Sequence, residues 1–112
     1  MADAASRYEQ FRAFRERLNE RITGEGPEGR PAGTLVTKRF FTLDGKAYDA
    51  GALDVKTKEI AGLSASLVLR CDDCIAYHII RCKEEGVTDA ELWEVLGIGL
   101  IIGGSIVIPH LR

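Results

Sequence analysis

The 112-residue sequence predicts an all-α protein. Apolar residues recur every three or four positions in several segments, which is the period of an α-helix. Residue types that begin and end helices separate these segments, and no stretch shows the alternating pattern of a half-buried strand. Apolar residues make up 46% of the chain and charged residues 29%, which excludes a disordered polar chain. The net charge of -2 does not indicate nucleic acid or a membrane as a partner.

The N-terminal part of the sequence, residues 1–33, predicts a helical arm followed by a linker. An amphipathic helix is expected over residues 3–22, with charged residues on its other face. Its apolar positions are Tyr8, Phe11, Phe14, Leu18 and Ile22. Residues 23–33 contain four glycines and two prolines, a composition that leaves no regular element. We therefore expect the arm to dock on the rest of the chain or on another subunit, and residues 34–112 to form the core.

The core begins with an ambiguous segment, residues 34–50. Its apolar residues are Leu35, Val36, Phe40 and Phe41. They fit a helix or a short strand, and a helix is expected because the neighbouring segments are helical. Gly51 then interrupts the chain, and Asp54 is a good N-cap residue for a helix over residues 55–69.

The next helix is expected over residues 72–85. Its apolar side carries Ile75, Ile79 and Cys82. Gly86 follows, and glycine suits the left-handed position after a helix. Thr88 and Glu91 have the spacing of a capping box, which predicts that a further helix starts there.

The last helix becomes apolar on nearly every side, and Pro109 is expected to end this apolar segment. Such a helix must be buried, but one subunit of this size has too little material to cover it. We therefore expect a homo-oligomer. The uncharged stretch from Val95 to Ile108 has fourteen residues, whereas a membrane span needs about 20. Since no apolar signal segment is visible and three cysteines are too few for a disulfide-stapled secreted scaffold, a cytoplasmic location is expected.

A short segment carries the most informative chemistry. Cys71 and Cys74 are separated by two residues at the start of a predicted helix, so they can close a disulfide within one turn. The positive end of the helix dipole lowers a thiol pKa there, and the thiolate is the nucleophile. His78 lies one turn after Cys74 and can accept its proton or stabilise the thiolate. Asp72 and Asp73 oppose thiolate formation unless their carboxylates point to water and cap free backbone N–H groups.

Glu59 is the other acid–base candidate. A tight turn near residues 70 and 71 predicts that its helix packs antiparallel to the helix of His78. At a rise of about 1.5 Å per residue, Glu59 lies ~15 Å from that turn and His78 ~10 Å. The offset of about 5 Å is within reach of a glutamate side chain and one bridging water. A Glu59–water–His78 relay is therefore predicted, and direct contact stays open.

These residues form a pattern found in a known family. The pattern is Glu…Cys-x-x-Cys-x-x-x-His, formed here by Glu59, Cys71, Cys74 and His78. It resembles the signature of the alkylhydroperoxidase D-like family, which belongs to the carboxymuconolactone decarboxylase superfamily. The resemblance extends from Leu53 to Ser105, about half of the chain. It implies a helical bundle assembled as a homotrimer or homohexamer, with antioxidant thiol peroxidase or disulfide reductase activity.

The resemblance also implies roles for the residues. Cys74 would attack the peroxide, Cys71 would resolve the sulfenic acid, and His78 with Glu59 would relay protons. The implied substrate is a hydroperoxide or a disulfide, and the reductant is an external thiol donor such as a lipoyl group or a thioredoxin-like protein. No bound cofactor or metal is required. The alkylhydroperoxidase itself has a histidine just before its second cysteine, whereas this sequence has Asp73, so that relay member is missing.

Two functions of other classes also fit some of these residues. A carboxymuconolactone decarboxylase-like, non-redox enzyme would use His78 and Glu59 as acid and base, although the decarboxylases lack the cysteine pair. An oligomeric module that senses redox state or holds zinc would use a Cys₃His set. That set is Cys71, Cys74, His78 and Cys82. It is disfavoured because a single stretch of twelve residues rarely wraps a tetrahedral site.

The remaining candidate residues have simpler interpretations. Cys82 by itself is expected to be a small buried hydrophobe. His110 is expected at the surface or in an interface, without a partner that its spacing indicates. Packing rather than ligand binding is expected for Trp93, Phe40 and Phe41. Tyr77, beside His78, is a candidate for the wall of a substrate pocket.

Overall fold

The structure is a computed structural model in which residues 4–23 and 33–111 are described. These residues form α1 (Ala4–Thr23), α2 (Leu35–Ala47), α3 (Val55–Val68), α4 (Asp72–Glu84), α5 (Asp89–Gly103) and a final 3₁₀ helix, Ser105–Leu111. The described ranges contain no strand, and the all-α prediction is confirmed. The predicted linker, apart from its ends, and the side chain of Ile22 lie outside the described part of the chain.

A reciprocal side-chain cap explains why the ambiguous residues 34–50 begin with a helix. The Thr34 hydroxyl accepts a hydrogen bond from the Thr37 N–H at 3.2 Å. The Thr37 hydroxyl in turn accepts from the Thr34 N–H at 2.8 Å. The N–H groups of Thr34 and Thr37 are thereby satisfied at the start of α2, which favours the helix over a strand.

The caps that the sequence predicts are confirmed for the later helices. Asp54 caps α3 through the N–H of Thr57 at 2.7 Å. Thr88 and Glu91 form the predicted capping box at the start of α5. Gly86 has a φ of 87°, the left-handed conformation that glycine adopts without strain.

The core is built around α3, which packs against both α4 and α5. Its buried apolar residues are Leu63, Leu67, Ile75, Cys82, Val87, Leu92, Leu96 and Val107. The close approach of α5 depends on Gly99, because a Cβ there would lie 2.7 Å from Cδ2 of Leu67. The N-terminal helix α1 packs against α4, so the arm docks on its own chain.

The C-terminal segment corrects one prediction. Pro109 lies inside the 3₁₀ helix Ser105–Leu111 instead of ending the apolar segment. The fixed φ of proline, about -65°, falls within the range of 3₁₀ backbone, so this short helix accommodates it. Val107 is fully buried and holds the 3₁₀ helix against the core.

Much of the apolar surface of α5 stays exposed in the single chain. Ile101 is 83% exposed, and Trp93, for which packing is predicted, is 65% exposed. The other exposed isoleucines of α5 and the 3₁₀ helix are Ile98, Ile102, Ile106 and Ile108. Phe40 is also exposed, although its ring contacts Phe41 edge-on with centroids 5.6 Å apart. Among the described residues, no helix is long and apolar enough to cross a membrane.

Candidate active site

The candidate site lies where α3 and α4 meet. The chain reverses between them at Arg70, which has a left-handed φ of 60°, and the Cys71 N–H donates to the Ser66 carbonyl at 3.1 Å. This reversal brings Glu59 of α3 against His78 of α4. Their Oε2 and Nδ1 atoms are 2.7 Å apart. The contact is therefore direct and needs no bridging water.

The carboxylate of Glu59 is buried and has two partners. Glu59 is 1% exposed and His78 is 7% exposed, so neither is a solvated surface residue. A buried carboxylate is stable only when its oxygens are paired. The second oxygen, Oε1, lies 3.5 Å from Nε of Arg81. The sequence interpretation missed Arg81, although its position three residues after His78 places it on the same face of α4.

A glycine makes room for the histidine ring. A Cβ at Gly62 would lie 2.8 Å from Cε1 of His78 and 3.0 Å from both ring nitrogens. Gly62 follows Glu59 by three residues and so lies on the same face of α3. The ring of His78 can therefore rest directly on the α3 backbone beside its carboxylate partner.

The other ring nitrogen of His78 contacts a tyrosine. The hydroxyl of Tyr48, the C-cap residue of α2, is 3.3 Å from Nε2 of His78. Burial, followed by the nearby charge of Glu59, raises the pKa of Tyr48, so the hydroxyl is protonated at neutral pH. The sequence interpretation missed Tyr48, because 30 positions separate it from His78 and no local spacing links the two.

Cys71 and Cys74 form a disulfide at the start of α4, with Cα atoms 5.3 Å apart. Cys71 is the N-cap residue, and its Sγ accepts a hydrogen bond from the Cys74 N–H at 3.3 Å. Both sulfurs therefore lie at the positive end of the helix dipole, where a thiolate is stabilised. The structure brings the two cysteines together as their spacing predicts.

Each of the two acidic residues between the cysteines contacts a basic side chain. Asp73 Oδ1 is 3.9 Å from Nη1 of Arg7, and Asp72 Oδ1 is 2.7 Å from Nδ1 of His110. The spacing of His110 indicates no partner in the sequence, but the 3₁₀ helix carries this residue back to the start of α4, where it meets Asp72. Both carboxylates, whose negative charge disfavours a neighbouring thiolate, are therefore engaged in contacts with other side chains.

A cavity of about 390 Å³ opens onto the site. Its walls include Tyr48, Glu59, Cys74, Tyr77, His78 and Arg81. Helix α1 adds Phe11 and Arg15, and the Phe11 ring meets the ring of Tyr77 edge-on with centroids 6.0 Å apart. Tyr77 lines this cavity, and its place in a substrate pocket stays a prediction. The role of α1 in closing the cavity is not evident from the sequence, where Phe11 is only one of several periodic apolar residues.

Cys82 lies in the core and not in the cavity. It is fully buried, and burial, followed by the charge of Glu59, raises the pKa of its thiol to about 11. The interpretation of Cys82 as a buried hydrophobe is confirmed. Within residues 4–23 and 33–111, no group of three or more His, Cys, Asp and Glu side chains is arranged to hold a metal ion.

The fold and this site agree with the comparison to known families. Residues 35–112 match the model of the Carboxymuconolactone decarboxylase family. This match covers more than half of the chain, so the protein belongs to that family. The alkylhydroperoxidase D-like resemblance inferred from the sequence is confirmed at the level of this superfamily.

Two crystal structures of one Thermotoga maritima protein, TM1620, are similar to this chain. In the first, the match is 56% identical, covers 92% of this chain and 81% of that chain, and has a TM-score of 0.81. The second gives 56% identity, 94% and 86% coverage, and a TM-score of 0.80. TM1620 is described as a carboxymuconolactone decarboxylase family protein for which involvement in an antioxidative response has been suggested.

Two curated relatives of the chain are described only as uncharacterised proteins. One is protein 4 in the cox locus of Paracoccus denitrificans, 28% identical over 67 residues. The other is a Cupriavidus necator protein, H16_B0147, 30% identical over 59 residues. The matches cover 60% and 53% of this chain, and 60% and 52% of the relatives. The chain thus spans between half and three-fifths of the length of the curated relatives it matches.

Proposed function

We propose that this protein is a thiol-dependent oxidoreductase that reduces hydroperoxides or disulfides through Cys71 and Cys74. One observation carries the proposal: the cysteine pair begins α4, and Cys74 lines the same cavity as the buried Glu59–His78 pair. A nucleophilic thiol, a second thiol to resolve it and an acid–base group are what such chemistry needs. The antioxidative involvement suggested for the Thermotoga relative supports this proposal.

In the proposed cycle, the Cys74 thiol gives up its proton, which is held on His78, and the thiolate attacks the outer oxygen of a hydroperoxide ROOH. The O–O bond breaks, the sulfur is oxidised to a sulfenic acid, and the alcohol ROH leaves with the proton. Cys71 then attacks the Cys74 sulfur, which releases water and forms the disulfide. With a disulfide substrate, Cys74 forms a mixed disulfide, and attack by Cys71 releases the second thiol.

The cycle closes when an external dithiol supplies two electrons to the Cys71–Cys74 disulfide. Both cysteines are partly exposed, so a donor thiol can approach them. A lipoyl group or a thioredoxin-like protein has the required chemistry, because its own disulfide forms as the Cys71–Cys74 bond breaks. No step of this cycle requires a bound cofactor.

The test is the intact mass and free-thiol count of the reduced protein after one equivalent of an organic hydroperoxide. We expect rapid loss of two thiols and of two hydrogens in mass, both in the wild type and in Cys82→Ala. Cys74→Ser should not form the internal disulfide. Oxidation of the wild type no faster than that of a free thiol in solution would contradict the peroxidase, and disulfide substrates would then be tested in the same way.

A non-redox, decarboxylase-like enzyme is the second candidate, because the chain belongs to that family and a buried Glu59–His78 pair can also act as acid and base. It predicts turnover of a lactone acid that survives Cys74→Ser and is lost in His78→Ala. The redox proposal predicts the loss of all turnover in Cys74→Ser. A purely redox-sensing module would instead change its assembly on oxidation and turn nothing over.

A further inference from the structure

We propose that the hydroxyl of Tyr48 is the acid that protonates the leaving atom when Cys74 attacks its oxidant. This inference rests on the proposed function and adds a catalytic residue to it. Tyr48 comes from the end of α2, outside the pattern shared by α3 and α4. Its side chain lines the cavity together with Cys74 and His78.

The hydrogen bonds around His78 define the direction of proton transfer. Glu59 is buried 2.7 Å from Nδ1, and a carboxylate accepts, so Nδ1 carries the hydrogen of the neutral ring. Nε2 is then an acceptor, and Tyr48, 3.3 Å away, donates to it. When a proton is held on Nε2, the bond reverses: Nε2–H donates to the tyrosine oxygen, and the tyrosine O–H becomes free to donate into the cavity.

Other groups on the cavity wall are less suited to this step. Arg81 donates hydrogen bonds but does not release a proton. Tyr77 also lines the cavity, but it meets His78 edge-on through its ring, with centroids 5.1 Å apart. Tyr48 is, among the described residues, the hydroxyl that contacts a ring nitrogen of His78. It can therefore give a proton to the substrate and regain one from the histidine.

The proton balance closes without any further reactant. The Cys74 thiol loses its proton, which is held on His78. The thiolate attacks ROOH, the S–O bond forms as the O–O bond breaks, and RO⁻ departs. Tyr48 gives its proton to RO⁻, producing ROH, while His78 returns its proton to Tyr48. With a disulfide substrate, the departing RS⁻ takes the same proton and leaves as RSH.

Two pairs of oxidants distinguish this role from mere support of the histidine ring. Cumene hydroperoxide expels a basic alkoxide that needs a proton, whereas peracetic acid expels acetate, which does not. A dialkyl disulfide expels a basic thiolate, whereas 5,5′-dithiobis(2-nitrobenzoate) expels a stable aromatic thiolate. Single-turnover rates are measured on the reduced wild type, on Tyr48→Phe and on Tyr8→Phe. For each pair, the rate with the oxidant that expels the basic group is divided by the rate with the other oxidant. This ratio cancels any change in the fraction of Cys74 that is thiolate.

We expect Tyr48→Phe to lower both ratios by about 100-fold, the scale of a general acid's contribution. Tyr8→Phe, which removes a hydroxyl from a ring that stacks on Tyr77 outside the cavity wall, should leave both ratios unchanged. Equal slowing of both members of each pair in Tyr48→Phe would overturn the inference, because Tyr48 would then only hold the His78 ring.

Failure of the proposed function would give a different pattern of reaction rates. A wild type that reacts with all four oxidants no faster than a free thiol contradicts the thiol oxidoreductase and the acid role together. A wild type that reduces disulfides but not hydroperoxides contradicts only the peroxidase. In that case, an unchanged disulfide ratio in Tyr48→Phe overturns the role of Tyr48, and a lowered ratio supports it.

Discussion

The buried carboxylate of Glu59 allows the proposed Glu59–His78 acid–base pair to be tested by changing a single residue. One of its oxygens meets His78 at 2.7 Å and the other meets Arg81 at 3.5 Å. Glu59→Gln keeps the shape but removes the charge that stabilises a protonated His78. We expect single-turnover oxidation of Cys74 by cumene hydroperoxide to slow by about 100-fold, the scale of an acid–base contribution.

Glu84→Gln is the matched control for this change. Glu84 also pairs with Arg81, at 3.4 Å, but its side chain is half exposed. Removing this carboxylate charge beside the same arginine should therefore leave the oxidation rate within about twofold of the wild-type rate, because exposed ion pairs contribute little. If both variants slow the oxidation equally, the rate responds to the loss of a carboxylate beside Arg81 and not to the Glu59–His78 contact.

Whether the sequence could predict a residue of the site depends on how far that residue lies from the others along the chain. Cys71, Cys74 and His78 could be predicted because one helix places them by spacing alone. Direct contact between Glu59 and His78 could not, since helix rise fixes height along the axis but not the rotation that turns two side chains together. Tyr48 comes from another helix, and only the packed structure brings it to His78.

The helices themselves were predictable where their caps are local. Asp54 and the Thr88–Glu91 pair mark the starts of α3 and α5 within a few residues. The start of α2 was harder, because its cap pairs Thr34 with a second threonine in place of the usual glutamate or glutamine. The contribution of α1 to the cavity depends on tertiary packing that periodicity does not specify.

Helix α1 should govern which oxidants the cavity accepts. Phe11 projects from α1 into the cavity wall, so Phe11→Ala removes apolar surface that a bulky substrate would contact. We expect KM for cumene hydroperoxide to rise by about tenfold, equivalent to part of the burial energy of one aromatic ring. KM for hydrogen peroxide, which makes no such contact, should stay unchanged in steady-state assays with an excess of dithiol.

Phe14→Ala on the same helix is the control, because Phe14 is 50% exposed and does not line the cavity. It should leave KM for both peroxides unchanged. A similar rise in KM for both peroxides in Phe11→Ala would mean that the substitution distorts the site generally, which would contradict a role for α1 in substrate choice.

At the scale of the whole molecule, the single chain buries only one side of the apolar helix α5. Its inner side contacts α3, where Leu92, Leu96 and Gly99 are buried. Its outer side remains apolar and exposed, as shown by Ile101 and Ile102 at 83% and 69%. Exposed apolar surface of this extent is unusual for a monomer and typical of a protein interface. The homo-oligomer inferred from the sequence therefore stays a prediction with a definite surface to test.

Ile101→Glu places a charge on that exposed surface, at its most exposed isoleucine. If a second copy of the chain covers α5, the variant must bury an unpaired carboxylate, which costs several kcal/mol and favours dissociation. We expect light scattering to give the mass of a trimer or hexamer for the wild type and a smaller mass for the variant. Ala90→Glu, at the exposed start of the same helix, introduces the same residue where the helix dipole favours it and should keep the wild-type mass. A wild type that is monomeric at every concentration would show that α5 is not an interface between copies.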